Sequence, residues 1–168
     1  LNEFDQMSLL PRQGQIADSK ESPLESDPLV GKKAAPIETK LLDGTSFNLA
    51  EYGGKVVVLD FWATWCGPCI KALPQLIESS SDFAPEEVVL VAVNQGENKK
   101  RITQFLQQKK LMDLTVAMDK NQRIGRNYQV QGIPKTVVID QKGIIRHVEV
   151  GFAERTAFRI KSKISKLI

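Results

Sequence analysis

The chain has 168 residues, 42% of them hydrophobic and 26% charged, the balance of one globular domain with some length to spare. Its net charge of +3 is small and it lacks an aromatic-plus-basic stripe, so no nucleic-acid partner is expected. No apolar run approaches the ~18 residues of a membrane helix, because Val56 to Leu59 is cut off by Asp60.

Residues 1–30 hold two basic and six acidic side chains, against 21 basic and 14 acidic in 31–168. They are rich in Ser, Pro and Gln, show no helical or strand period, and are interrupted by Pro11, Gly14, Pro23 and Pro28. A flexible linker or tail is expected there, ahead of one folded domain over 31–168. The chain starts at Leu1 without an initiator Met or a basic-then-apolar leader, so a signal peptide, anchor or upstream domain is expected to have been removed.

From Gly31 the pattern tightens. Lys40 to Leu42 and Ser46 to Leu49 flank Asp43-Gly44, a pair suited to a hairpin turn, which predicts a short two-stranded ribbon. Val56 to Trp62 reads as a strand buried on both faces. Cys66 to about Ser80 reads as a helix, with Ile70, Leu73, Leu76 and Ile77 inward and a kink at Pro74.

Val88 to Val93 predicts a second buried strand, Lys99 to Lys110 an amphipathic helix, Leu114 to Met118 a short strand and Asn121 to Tyr128 a helix. Thr136 to Ile139 and Ile144 to Val150, turning at Gly143, predict an antiparallel hairpin. Thr156 to Leu167 closes the chain as a helix with Phe158, Ile160, Ile164 and Leu167 largely on one side. Strands alternating with helices imply an α/β fold: a mixed sheet with helices on both faces, ending in an antiparallel edge.

The only two cysteines stand three residues apart in Trp65-Cys66-Gly67-Pro68-Cys69, so the pair is redox-active, metal-binding or incidental. The motif lies where a buried strand hands over to a helix. A thiolate there meets unpaired backbone N–H groups and the positive end of the helix dipole, which lowers its pKa and makes it a nucleophile near neutral pH. Cys66 holds that position. Cys69, one turn further in, suits a resolving thiol: Cys66 attacks a substrate disulfide, and Cys69 then breaks the mixed disulfide and closes the Cys66–Cys69 bond. Gly67 and Pro68 keep the turn tight and start the helix.

The segment Asp60-Phe61-Trp62-Ala63-Thr64-Trp65-Cys66-Gly67-Pro68-Cys69 resembles the active-site stretch of thioredoxins. The wider layout resembles the extracytoplasmic TlpA/ResA-like thioredoxins, through the Gly31 to Leu49 ribbon, the extra strand and helix across Glu86 to Asp113, and Asp140-Gln141-Lys142-Gly143 between the last strands. The resemblance covers about Gly31 to Phe152. It implies a thioredoxin fold with an N-terminal hairpin and an inserted strand and helix. It also implies disulfide-containing protein substrates, an upstream thiol protein as electron donor, no cofactor and no metal, in a monomer that meets a membrane only through a missing anchor. The implied location is extracytoplasmic; the residues alone leave a cytoplasmic one open.

The second motif is Val130-Gln131-Gly132-Ile133-Pro134-Lys135-Thr136. In the resembled family this proline is cis, lies against the cysteine pair and frees the preceding backbone to pair with an extended substrate. That implies a substrate-binding surface of Trp65, Gly67, Pro68, Ile133 and Pro134. Pro134 itself offers no N–H, which leaves a gap in strand pairing beside the thiols.

Asp60 interrupts an apolar strand six residues before Cys66. An unpaired buried carboxylate is costly, so Asp60 is expected to be neutral at rest with a raised pKa, able to exchange a proton with Cys69 through water. The matching Asp of thioredoxins has this role. Two features depart from the pattern: Thr115 to Asp119 lacks the Lys usually found near that Asp, and Ile70 to Leu73 lacks the Glu that many TlpA/ResA-like members carry after the second Cys.

Other chemistries fit less well. Zinc wants four ligands and only His147 could join the cysteines; His147 lies in an alternating strand and reads as a surface residue. Copper delivery uses a longer Cys spacing, haem attachment wants His where Ile70 stands, and peroxiredoxin chemistry wants a lone Cys in another loop. Trp62 reads as scaffold, and Lys161, Lys163 and Lys166 as a solvated helix face. Two further readings stand beside a reductase, namely a non-catalytic binding domain with relic cysteines and a disulfide oxidant. Gly67-Pro68 and Ile133 before Pro134 are the choices of reducing thioredoxins.

Overall fold

The computed structural model describes residues 26–168. The elements run β1 (Glu38–Lys40), β2 (Ser46–Asn48), β3 (Val56–Trp62), α1 (Gly67–Ser81), β4 (Val88–Gln95), α2 (Lys99–Lys109), β5 (Val116–Asp119), α3 (Arg123–Asn127), β6 (Lys135–Ile139), β7 (Ile145–Val150) and α4 (Thr156–Leu167). β1 and β2 pair antiparallel around the turn at Asp43-Gly44, where Gly44 takes φ +87°, a left-handed value that glycine adopts at little cost. The main sheet has the order β5-β4-β3-β6-β7, with β3, β4 and β5 parallel and β6 and β7 antiparallel additions.

β3 is the central strand and every one of its residues is buried. Its alternation sorts the core. Val57, Leu59 and Phe61 pack on the side of Ile37, Phe47, Ile124 and Tyr128, beneath the ribbon and α3. Val56, Val58 and Trp62 pack on the other side, against residues of α1, α2 and α4 such as Leu73, Leu76, Phe105 and Ile160. Asp60 falls on that second side, the face that carries α1. Sequential strands in parallel need a covering crossover, and α1 and α2 supply it for β3-β4-β5.

Some expectations are corrected. Phe158 is 62% exposed, although Ile160 and Ile164 of the same helix are buried. Two residues of an α-helix span about 200°, so Phe158 and Ile160 cannot share a face. β5 starts at Val116 rather than Leu114. As expected, α1 continues past Pro74, which is exposed and leaves the Ile70 carbonyl without its usual helical donor.

The packed domain also reaches further back than Gly31. Leu29 is buried in the core, and Asp27 pairs with the buried Lys135 at 3.2 Å. Of the tail expected over 1–30, residues 1–25 lie outside the described residues.

Candidate active site

The site forms where β3 ends and α1 begins. Cys66 is the N-cap of α1, with extended backbone, and Pro68 sits in the first turn, where a missing N–H costs nothing. Cys66 and Cys69 form a disulfide with Cα atoms 5.2 Å apart. The Cys69 backbone N–H donates to Cys66 Sγ at 3.3 Å, so one of the helix's unpaired donors points at the first sulfur. That contact, with the helix dipole, favours negative charge on Cys66 once the bond opens. Cys69 is fully buried and Cys66 4% exposed.

The Ile133–Pro134 peptide is cis, and the Ile133 carbonyl oxygen lies 3.7 Å from Cys66 Sγ. Ile133 is half-buried and packs on the cluster that holds Trp62, Cys66 and Cys69. Pro134 is buried, and its carbonyl accepts the Gly151 N–H at 2.8 Å, tying this loop to the end of β7. Trp65, 67% exposed, and the exposed Gly67 and Pro68 form the outer rim. The two motifs, 64 residues apart in sequence between Cys69 and Ile133, thus meet at the disulfide.

Asp60 is fully buried. Its Oδ1 accepts the Thr136 hydroxyl at 3.1 Å, while Oδ2 has no partner among the described residues. Burial pushes its carboxyl up to about 7, and the Thr136 hydrogen bond opposes this only weakly. The partner was hidden in the sequence because it depends on register: Asp60 stands opposite Thr136 across the β3–β6 pair. Lys135, the next residue, faces the other side of the sheet. Its ammonium donates to the Tyr128 and Gln129 carbonyls at 3.0 and 3.2 Å and meets Asp27, so it does not serve as a counter-ion for Asp60.

A second carboxylate was missed. Glu97, 9% exposed in the loop after β4, accepts the Thr64 backbone N–H at 2.7 Å and hydroxyl at 2.5 Å, two residues before Cys66. Burial raises its pKa, but the hydrogen bonds from Thr64, Asn94 and Arg101 outweigh this and hold it below the usual carboxylate range. The available signal was a Glu two residues beyond the end of a mostly apolar strand, with Arg101 four residues on.

Among the described residues no group of three His, Cys, Asp or Glu is placed to hold a metal ion. His147 is paired with Glu149 at 3.0 Å on β7.

The sequence model of the AhpC/TSA family matches residues 30–148. The chain is 34% identical over 123 residues to the thioredoxin-like protein YneN of Bacillus subtilis, covering 72% of this chain and 71% of that one. It is 31% identical over 122 residues to the thiol-disulfide oxidoreductase ResA of Geobacillus thermodenitrificans, covering 73% and 70%. A solved structure assigned as the thiol:disulfide interchange protein DsbE of Chlorobium tepidum superposes with a TM-score of 0.76 at 30% identity, over 84% of this chain and 98% of that one.

Proposed function

The chain belongs to the AhpC/TSA family and is a thiol-disulfide oxidoreductase, and from that premise we propose that it works as a reductant of protein disulfides. The observation that carries the reading is the Cys66–Cys69 pair at the N-terminus of α1, with the Cys69 N–H on Cys66 Sγ and the Ile133 carbonyl beside it.

In this mechanism an extended substrate lies across Trp65, Gly67, Pro68, Ile133 and Pro134. Cys66 thiolate attacks one sulfur of the substrate disulfide and the other leaves as a thiolate. Asp60 then takes the proton of Cys69 through water, and Cys69 attacks Cys66 Sγ, releasing reduced substrate and closing the Cys66–Cys69 disulfide. Two electrons have passed to the substrate, and an upstream dithiol protein restores the pair. Asp60 suits its part because a carboxyl titrating near 7 can both hold and release a proton at neutral pH.

The resemblance to TlpA/ResA-like thioredoxins supports an extracytoplasmic setting, and no helix among the described residues is long and apolar enough to cross a membrane. We take the protein to act as a monomer. The direction is tested by the equilibrium reduction potential: a value near that of thioredoxin, about −270 mV, supports a reductant, and one near −120 mV makes it an oxidant.

A further inference from the structure

Two loops leave the same edge of the sheet, because β3 and β4 are parallel. The first carries Ala63, Thr64 and Trp65 into Cys66. The second carries Gly96, Glu97 and Asn98 into α2. Glu97 bridges them with both carboxylate oxygens. Oε1 accepts the Thr64 backbone N–H at 2.7 Å and the Asn94 side-chain amide at 2.9 Å. Oε2 accepts the Thr64 hydroxyl at 2.5 Å and Arg101 Nε at 3.0 Å. Asn94 Oδ1 in turn accepts the Glu97 N–H at 3.2 Å, which fixes the second loop before it reaches the first.

The Thr64 N–H belongs to the same peptide group as the Ala63 carbonyl, and that carbonyl accepts the Cys66 N–H at 3.2 Å. One peptide plane is therefore held from both sides: the Glu97 carboxylate takes its N–H, and the nucleophile's own N–H donates to its oxygen. A charged acceptor on the N–H also polarises the carbonyl and strengthens the second bond. We propose that Glu97 is a positioning residue for the nucleophile: by fixing the Ala63–Thr64 peptide it sets the turn that presents Cys66 Sγ to substrate. Without it the buried Thr64 N–H loses its partner and the plane is free to rotate, and Cys66 moves with it. The inference rests on Cys66 being the attacking thiol.

Reach and charge separate cleanly at this position. Glu97→Gln keeps an oxygen at the Thr64 N–H and removes the charge; the side chain of Arg101 is 61% exposed and can turn to water. Glu97→Asp keeps the charge and withdraws the oxygens by one methylene. The measurement is stopped-flow reaction of reduced protein with the small disulfide 5,5′-dithiobis(2-nitrobenzoate) across pH, in a Cys69→Ser background so that only Cys66 reacts. It yields the apparent pKa of Cys66 and its limiting rate.

Glu97→Ala and Glu97→Asp should cut the limiting rate by roughly tenfold to a hundredfold, the usual cost of a displaced reacting group, while Glu97→Gln stays within about twofold of the parent. If Glu97→Ala does not fold, the contrast between Gln and Asp decides the matter alone. A limiting rate in Glu97→Asp equal to the parent's overturns the proposal, as does a loss of melting temperature with no change in rate. A Cys69→Ser parent that fails to react refutes the nucleophile assignment itself, and with it this inference.

Discussion

Asp60 sits opposite Thr136 on the most buried strand of the sheet, with one carboxylate oxygen hydrogen-bonded and the other unpartnered. Its pKa is raised from 3.8 to about 7, so the folded state holds a proton that the unfolded state releases at lower pH. The stability linked to this group is complete below the unfolded pKa near 4, is lost progressively as pH rises towards 7, and changes no further above it. The loss is on the order of 4 kcal/mol, because each tenfold difference in proton affinity between the two states is worth about 1.4 kcal/mol. Asp60→Asn removes the titration, so its unfolding free energy should gain on that of the wild type between pH 4 and 7, as measured by urea denaturation. Parallel curves would show that Asp60 does not titrate there.

The same variant tests the chemistry. Resolution of a mixed disulfide should slow in Asp60→Asn at neutral pH and recover at alkaline pH, where Cys69 ionises unaided, while attack by Cys66 changes little. Stopped-flow rates for the two steps check this, and equal resolution rates at every pH would leave Asp60 a structural role only. The carboxyl itself was legible in the sequence as one acid in a Val-rich strand. Its single hydrogen bond was not, because a cross-strand partner depends on register.

At the scale of elements, α1 holds the site by burying Cys69, Ala72, Leu73 and Leu76 against the β3 face. Leu73→Ala should cost about 2–5 kcal/mol, since a fully buried leucine leaves a cavity that the packed sheet cannot collapse to fill. Thermal or urea unfolding measures it, and a cost under about 1 kcal/mol would mean that α1 relaxes onto the sheet.

The segment preceding the ribbon is a second such element. Asp27 neutralises Lys135, whose side chain is 4% exposed, and Leu29 enters the core. Removing residues 1–25 is expected to leave the melting temperature unchanged, whereas Asp27→Ala should destabilise by about 1.5–3 kcal/mol, the range for a hydrogen bond to a charged group. Equal effects of the two changes would place the boundary elsewhere. The expected boundary at Gly31 fell short because composition changes gradually there, and a lone Asp in a polar stretch gives no sign of a lysine 108 positions away in sequence.

Across the whole molecule, the parts legible in advance are those written in local pattern. A seven-residue stretch that is apolar except for Asp60 marks β3, a Cys pair at a strand-to-helix junction marks the site, and a Gly-Ile-Pro segment marks the loop that closes over it. The parts that escaped are held by contacts between distant residues, such as Glu97 to Thr64 and Lys135 to Asp27. Phe158 escaped for another reason: a hydrophobic residue on a helix need not face the core, and this one stacks beneath the Arg155 guanidinium at 5.3 Å instead.

The fold brings the end of β3, the start of α1 and the loop before β6 around one disulfide, and the mechanism depends on which of its sulfurs attacks. Trapping decides it: Cys66→Ser and Cys69→Ser proteins are incubated with an oxidised protein substrate, and the covalent adducts are mapped by mass spectrometry. Cys69→Ser should accumulate a mixed disulfide through Cys66, and Cys66→Ser should accumulate none. Adducts formed through Cys69 alone, or none with either protein, would contradict the mechanism.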